Sequence, residues 1–263
     1  MLERSRKMWA GERKRTTLFC FSPPVMLATM LIEFGGAIYC FVRYRASRTV
    51  KLVIAVLIFL GIFQGAEFMI CDGETLSWVP WARIGFAAIT MLPPLGISLA
   101  MSIAGVRGKE AKWAQVAMYS VAAGFIGYYL FWPSVFSAEV CAGNYVIFEA
   151  YRSQVLYGVY YYVLLLIGVV VSILWAGRAK DKDVRSALRW LAIGYGSFII
   201  PTAVVNMIDR ETLAAIPSIM CGFAVVLALI LIFVIVPKVG EKRVGCGNEG
   251  CDIRRGKKRG EKK

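Results

Sequence analysis

Histidine is absent from all 263 residues, which excludes His-ligated zinc, histidine-based triads and haem held by a histidine. Charge is equally absent from most of the length. The stretches 18–42, 52–70, 84–104, 113–132, 157–176, 190–208 and 213–236 contain two of the 48 charged residues, Glu33 and Glu67, and no lysine or arginine. The remaining loops and tails hold all the others. A soluble core does not segregate charge this way, and 58% of the chain is hydrophobic with a mean hydropathy of +0.62. No alternation of apolar and polar residues runs through these stretches, as an outer-membrane barrel strand would need.

What is present is length. A helix rises about 1.5 Å per residue and a bilayer core is roughly 30 Å thick, so about 20 apolar residues cross it. Each stretch reaches that length within two residues, and runs such as IAVLIFLGIF and LALILIFVIV are apolar all round. The expected fold is therefore all-α: a polytopic integral membrane protein built as a seven-transmembrane-helix bundle. It comprises a basic segment 1–17, a membrane domain 18–236 and a disordered basic tail 237–263. Pro23 after Ser22 marks the start of the first helix. Pro93, Pro94, Pro201 and Pro217 fall in or near later spans, where each removes a backbone donor and leaves a carbonyl for a neighbour to satisfy.

Basic residues orient the bundle. Successive loops carry four, one, three, one, five and one of them, and the tail carries ten. That alternation puts the C-terminus in the cytoplasm and the N-terminus outside, in a bacterial-type plasma membrane. The six basic residues of 1–17 oppose this orientation, so native translation is expected to start near Leu18. Between its ten basic and four acidic residues the tail nets +6, suited to the anionic inner leaflet. Membrane lipid is the expected partner, with a separate cytoplasmic or membrane protein as a further one; no nucleic acid is expected.

Glu33 and Glu67 carry the functional expectation, because a carboxylate at membrane depth costs several kcal/mol and has to be neutral, paired or wet. Gln64, Glu67 and Cys71 follow at i, i+3 and i+7 on one helix face. Small residues surround Glu33: Thr29 and Ala37 one turn away, Gly35 and Gly36 beside it. Asn206 and Ser197 in the sixth span are candidate hydrogen-bond partners. Helical rise separates the two acids by roughly 10 Å in depth, which argues against a direct proton-sharing pair. Interhelical polar glue and a ligand, proton or cation site both fit these residues.

Aromatics crowd the side expected to be external: Trp78, Trp81, Phe131, Trp132, Phe136, Tyr145, Phe148, Tyr151, Tyr157 and Tyr160 to Tyr162. They form either an interfacial belt or the wall of a pocket above Glu67. Cys71 and Cys141 both fall on that side, where oxidation is permitted and a disulfide between them would tether the long loop to the bundle. Cys20, Cys40 and Cys221 read as small apolar fillers. Cys246 and Cys251 lack the further ligands zinc requires, so no metal and no cofactor is expected. With no histidine and two isolated acids, no enzymatic activity is expected either.

The segments ITMLPPLGIS (Ile89 to Ser98) and IPSIMCGFAVVL (Ile216 to Leu227) resemble the seven-helix sensory region that precedes the catalytic domains of some bacterial histidine kinases. CFSPPVMLAT (Cys20 to Thr29) and FQGAEFMIC (Phe63 to Cys71) resemble a family of uncharacterised bacterial membrane proteins. These resemblances imply topology and carry no activity or site residues. The resulting expectation is a sensor- or receptor-like protein that binds a small ligand from outside, at Gln64, Glu67 and the deeper Glu33. A proton- or cation-coupled transporter and a scaffold subunit are the alternatives.

Overall fold

Seven long helices account for nearly all of the computed structural model, which describes residues 23–71, 79–132, 136–142, 145–150, 154–208 and 216–241. They are α1 (Pro23–Arg43), α2 (Arg48–Cys71), α3 (Val79–Ala104), α4 (Lys109–Phe131), α5 (Gln154–Arg178), α6 (Lys182–Ile208) and α7, which begins at Ile216. All seven are long and apolar enough to cross a membrane. Where no water can satisfy a backbone N–H, a helix that satisfies its own is the form such sequences take. The protein is a multi-pass, all-α seven-helix bundle. Its N-terminal segment 1–22 and the tail beyond Glu241 lie outside the described residues.

Local chemistry sets the helix ends. α3 stops at Gly105, whose φ of +69° is a left-handed conformation that other residues adopt at a cost. The Val106 N–H then turns back to the Met101 carbonyl at 3.0 Å, the geometry of a Schellman stop. α6 starts at a side-chain cap: the Asp181 carboxylate accepts from the N–H groups of Asp183 at 2.7 Å and Val184 at 3.2 Å. At the other end of the bundle the Arg83 guanidinium, one turn into α3, donates to the carbonyls of Leu130 (2.9 Å) and Trp132 (3.3 Å). A cation there satisfies orphan carbonyls and complements the α4 dipole.

One element was not expected. The α4–α5 connection carries an antiparallel hairpin, β1 (Phe136–Ala142) and β2 (Tyr145–Ala150), with Ala142 paired to Tyr145 and an irregularity between Phe136 and Glu139. A sequence signal existed: Gly143 and Asn144 between two runs rich in aromatic and β-branched residues are hairpin chemistry.

α3 is the most enclosed helix, with 78% of its apolar window buried, whereas α4 has 11% and leans on the bundle from outside. α2, α4, α5 and α6 pack around α3, and α7 closes the bundle against α1, α2 and α6. α3 also contains the proline pair. Pro94 lacks the N–H that would bond the Thr90 carbonyl, and the Tyr160 hydroxyl of α5 donates to that carbonyl instead, at 2.8 Å. The Thr90 hydroxyl donates to the Phe86 carbonyl at 2.6 Å and lies 3.2 Å from the Tyr157 hydroxyl. The orphan carbonyl expected from the sequence is thus met by a named neighbour.

α7 departs from α-helical winding near its end. Leu231–Ile235 form a π-helical turn before Val236–Val239, where Pro237 lies. This turn packs on α1, since a methyl at Gly36 would overlap Ile232. Beyond it the Arg45 N–H donates to the Glu241 carbonyl at 2.7 Å, tying the last turn of the bundle to the α1–α2 connection.

Candidate functional site

The α1–α2 pair is closely fitted. A methyl at Gly65 would stand 3.0 Å from the Met30 sulfur, and one at Gly61 would stand 3.0 Å from the Phe34 ring. Two such contacts fix an antiparallel register that sets Glu33 opposite Ile62 and Gln64 beside the turn that bears Glu33. Glu67 is then five residues from the level of Glu33, about 7.5 Å by helical rise.

Burial of the polar group is complete. Glu33 is 0% exposed, Glu67 1% and Gln64 2%, with Thr29 also buried on the α1 face. Neither oxygen of Glu33 and not the Gln64 side-chain nitrogen has a hydrogen-bond partner among the described residues. Glu33 and Glu67 lie within electrostatic reach of one another. The acids thus stand at different depths, about 7.5 Å apart by helical rise against the roughly 10 Å counted from the sequence. Thr29 donates its hydroxyl back to the carbonyls of Val25 (3.0 Å) and Met26 (2.9 Å), which leaves its oxygen free to accept.

Other sequence candidates separate from this group. Ser197 donates its hydroxyl to the Gly194 carbonyl of its own helix at 2.7 Å. Asn206 is on the last turns of α6, and its side chain lies outside the described residues. Cys71 ends α2 and Cys141 is on β1, but both side chains lie outside the described residues, as does that of Cys221. Cys40 is a buried free thiol. Among the described residues no three His, Cys, Asp or Glu side chains gather as a metal-holding group.

The aromatic set divides in two. Tyr157, Tyr160 and Tyr161 are buried and join Phe86, Phe125 and Tyr129 in a continuous cluster of α3, α4 and α5, with ring centroids 4.9–5.8 Å apart for the pairs Phe86–Tyr129, Phe86–Tyr157, Phe125–Tyr157 and Phe125–Tyr160. These rings are helix-packing material, not an open wall above Glu67. Phe131, Trp132 and Tyr162 are exposed on the bundle surface, where amphipathic rings meet a bilayer interface. The side chains of Trp78, Phe136, Tyr145, Phe148 and Tyr151 lie outside the described residues.

A feature invisible in the sequence lies at the centre. A cavity of about 30 Å³ opens among α2, α3, α5, α6 and α7, lined almost wholly by apolar side chains including Leu60, Leu99, Leu165 and Leu227. Its size suits one or two water molecules. Leu60 is one turn from Gln64 on α2, but Glu33, Gln64 and Glu67 are not among the residues that line the cavity. Tyr195 also lines it, with a buried hydroxyl that has no partner among the described residues.

Comparison of the chain with protein-family models and with curated proteins finds no match.

Proposed function

We propose that this membrane protein is of receptor type, binding a small ligand at the group formed by Glu33, Gln64 and Glu67. The single observation that carries the reading is the complete burial of two acids and an amide, from two neighbouring helices, in stretches long and apolar enough to cross a membrane. Groups that are expensive at that depth mark binding sites and ion paths. The ligand enters from the end where α2 finishes and α3 begins, which the basic-residue count places outside a bacterial-type plasma membrane. Binding shifts α1 against α2 and α7. The Gly36–Ile232 contact and the Arg45–Glu241 backbone bond lie along the route to the opposite, basic end, where a separate protein receives the signal. The resemblance of α3 and α7 to kinase sensory regions supports that output.

Thermal unfolding of the purified chain against a panel of small organic cations, amino acids and inorganic ions tests the reading. At least one should stabilise the protein in a Gln64-dependent manner without producing flux in proteoliposomes. Stabilisation by none of them, with a stoichiometric protein partner co-purifying, would favour the scaffold instead. A transporter is the second reading, favoured by the staggered depths of Glu33 and Glu67 along one seam, which resemble successive stations for an ion. It requires proton or cation flux that Glu33→Gln or Glu67→Gln abolishes.

A further inference from the structure

The basic end of the bundle carries a cluster of cations that no acid among the described residues balances. Arg48 opens α2, and its guanidinium reaches across to α4, donating to the Gln115 side-chain oxygen at 2.9 Å. Lys51 follows one turn along α2, and Lys112 stands one turn before Gln115 on α4; all three basic residues are exposed. An arginine has five N–H donors, so the bond to Gln115 leaves the guanidinium free to bind more. Neither lysine side chain has a hydrogen bond or an ion pair among the described residues.

Other basic groups at this end are engaged or offset. Arg45 pairs with Glu241. Arg185 donates twice to the Ala179 carbonyl, at 2.8 and 3.1 Å, and Lys180 and Lys182 alternate with Asp181 and Asp183. Glu110 is close to Lys112 in sequence, but two residues are about 200° round a helix, which puts the acid on the far flank of α4.

The cluster heads a furrow on the outside of the bundle. α2 and α4 both pack on α3 and scarcely touch one another, and both run away from the basic end. Leu52, Ala55 and Phe59 follow Arg48 at i+4, i+7 and i+11, and Val116, Tyr119 and Ala123 follow Lys112 at the same intervals. Such spacing keeps one helix face, so a largely apolar strip descends from a cation on each helix. The α2 strip is half-buried, whereas Val116 and Ala123 are exposed, as befits the walls of an open groove. Tyr119 is held in place by donating to the Ser98 hydroxyl of α3 at 3.1 Å.

We propose that this furrow is an ordered site for an anionic phospholipid, with Arg48, Lys51 and Lys112 on the phosphate and an acyl chain lying between α2 and α4. Basic pockets between membrane helices recognise such headgroups. A zwitterionic lipid would bring its own ammonium into the cluster, and a free phosphate would leave the apolar strips uncovered. Occupancy fastens α4, the least enclosed helix, to α2, which bears Gln64 and Glu67. The site stands independently of any ligand at Glu33.

The test reconstitutes the full chain in phosphatidylcholine containing a minor fraction of phosphatidylglycerol, extracts it into detergent and counts retained lipids by native mass spectrometry. The wild type should keep phosphatidylglycerol in preference to phosphatidylcholine, and its Tm should rise by roughly 3 °C when that lipid is added. Lys51→Gln with Lys112→Gln breaks no described side-chain bond and should weaken retention about fivefold for each cation removed. Lys180→Gln with Lys182→Gln takes the same charge from the same end and should leave retention as in the wild type. Equal retention of the two lipids by the wild type overturns the proposal, as does an equal loss in both double variants, which would mean attraction to the whole leaflet surface. Displacement of the lipid by soluble glycerol phosphate, or a dimer of the chain that retains no lipid, overturns it too.

Discussion

Tyr195 fits where two helices present glycine to it. A methyl on Gly96 of α3 would overlap its hydroxyl, and one on Gly168 of α5 would come within 2.9 Å of the same atom. Neither glycine is needed for its backbone; each is needed for the space. Gly168→Ala should therefore destabilise by about 1–3 kcal/mol, the usual cost of overpacking, seen as a lower Tm in detergent. Tyr195→Phe removes the atom that collides and should restore most of the loss. If Tyr195→Phe does not suppress Gly168→Ala, the slot is not what holds these helices in register. Single residues also mark how far a sequence can be read. Glu33 and Glu67 stood out because charge is so rare in these stretches, and Gln64 because it shares a face with Glu67. Tyr195 had no such signal, since a tyrosine among apolar neighbours looks the same whether it packs, bonds or lines a cavity.

At the scale of elements, the proline pair shows how a local defect is repaired by a neighbour. Pro94 frees the Thr90 carbonyl, and Tyr160 supplies the missing donor at 2.8 Å across the α3–α5 interface. Tyr160→Phe keeps the ring and the aromatic packing but leaves that carbonyl buried and unmet. The expected cost is about 1 kcal/mol, measured as a Tm loss, with exchange of the α3 amides after Pro94 accelerated more than those of α1. An equal effect on both helices would mean that the bond does not repair α3 in particular. Helix existence and approximate limits were legible because apolar length and charge boundaries specify them. The hairpin between α4 and α5 was missed because attention to long apolar runs passes over two short strands, although Gly143–Asn144 announced a turn.

For the whole molecule, the alternation of basic loops makes a prediction independent of any side-chain detail. A reporter fused after Lys263 should be active only on the cytoplasmic side, and one inserted in the α4–α5 connection only on the other. The reverse pattern would invert the proposed entry and output faces together. The basic end has one described ion pair, Arg45 with Glu241 at 3.7 Å, both well exposed. Such a pair contributes little to stability by itself, so the coupling of α7 to α1 rests on the backbone bond and the Gly36–Ile232 fit.

Composition and hydropathy by themselves determined seven helices, their membrane-crossing length and the rarity of buried charge, because water and hydrocarbon sort residues by polarity wherever they occur along a chain. Register, partners and voids were decided only by tertiary structure. Which turn of α1 meets which turn of α2 depends on Met30 and Phe34 finding Gly65 and Gly61. That fit sets Glu33 opposite Ile62 and about 7.5 Å in depth from Glu67 by helical rise. Steric complementarity between distant segments is a property of surfaces in contact, and a linear pattern of apolar and polar residues does not encode it.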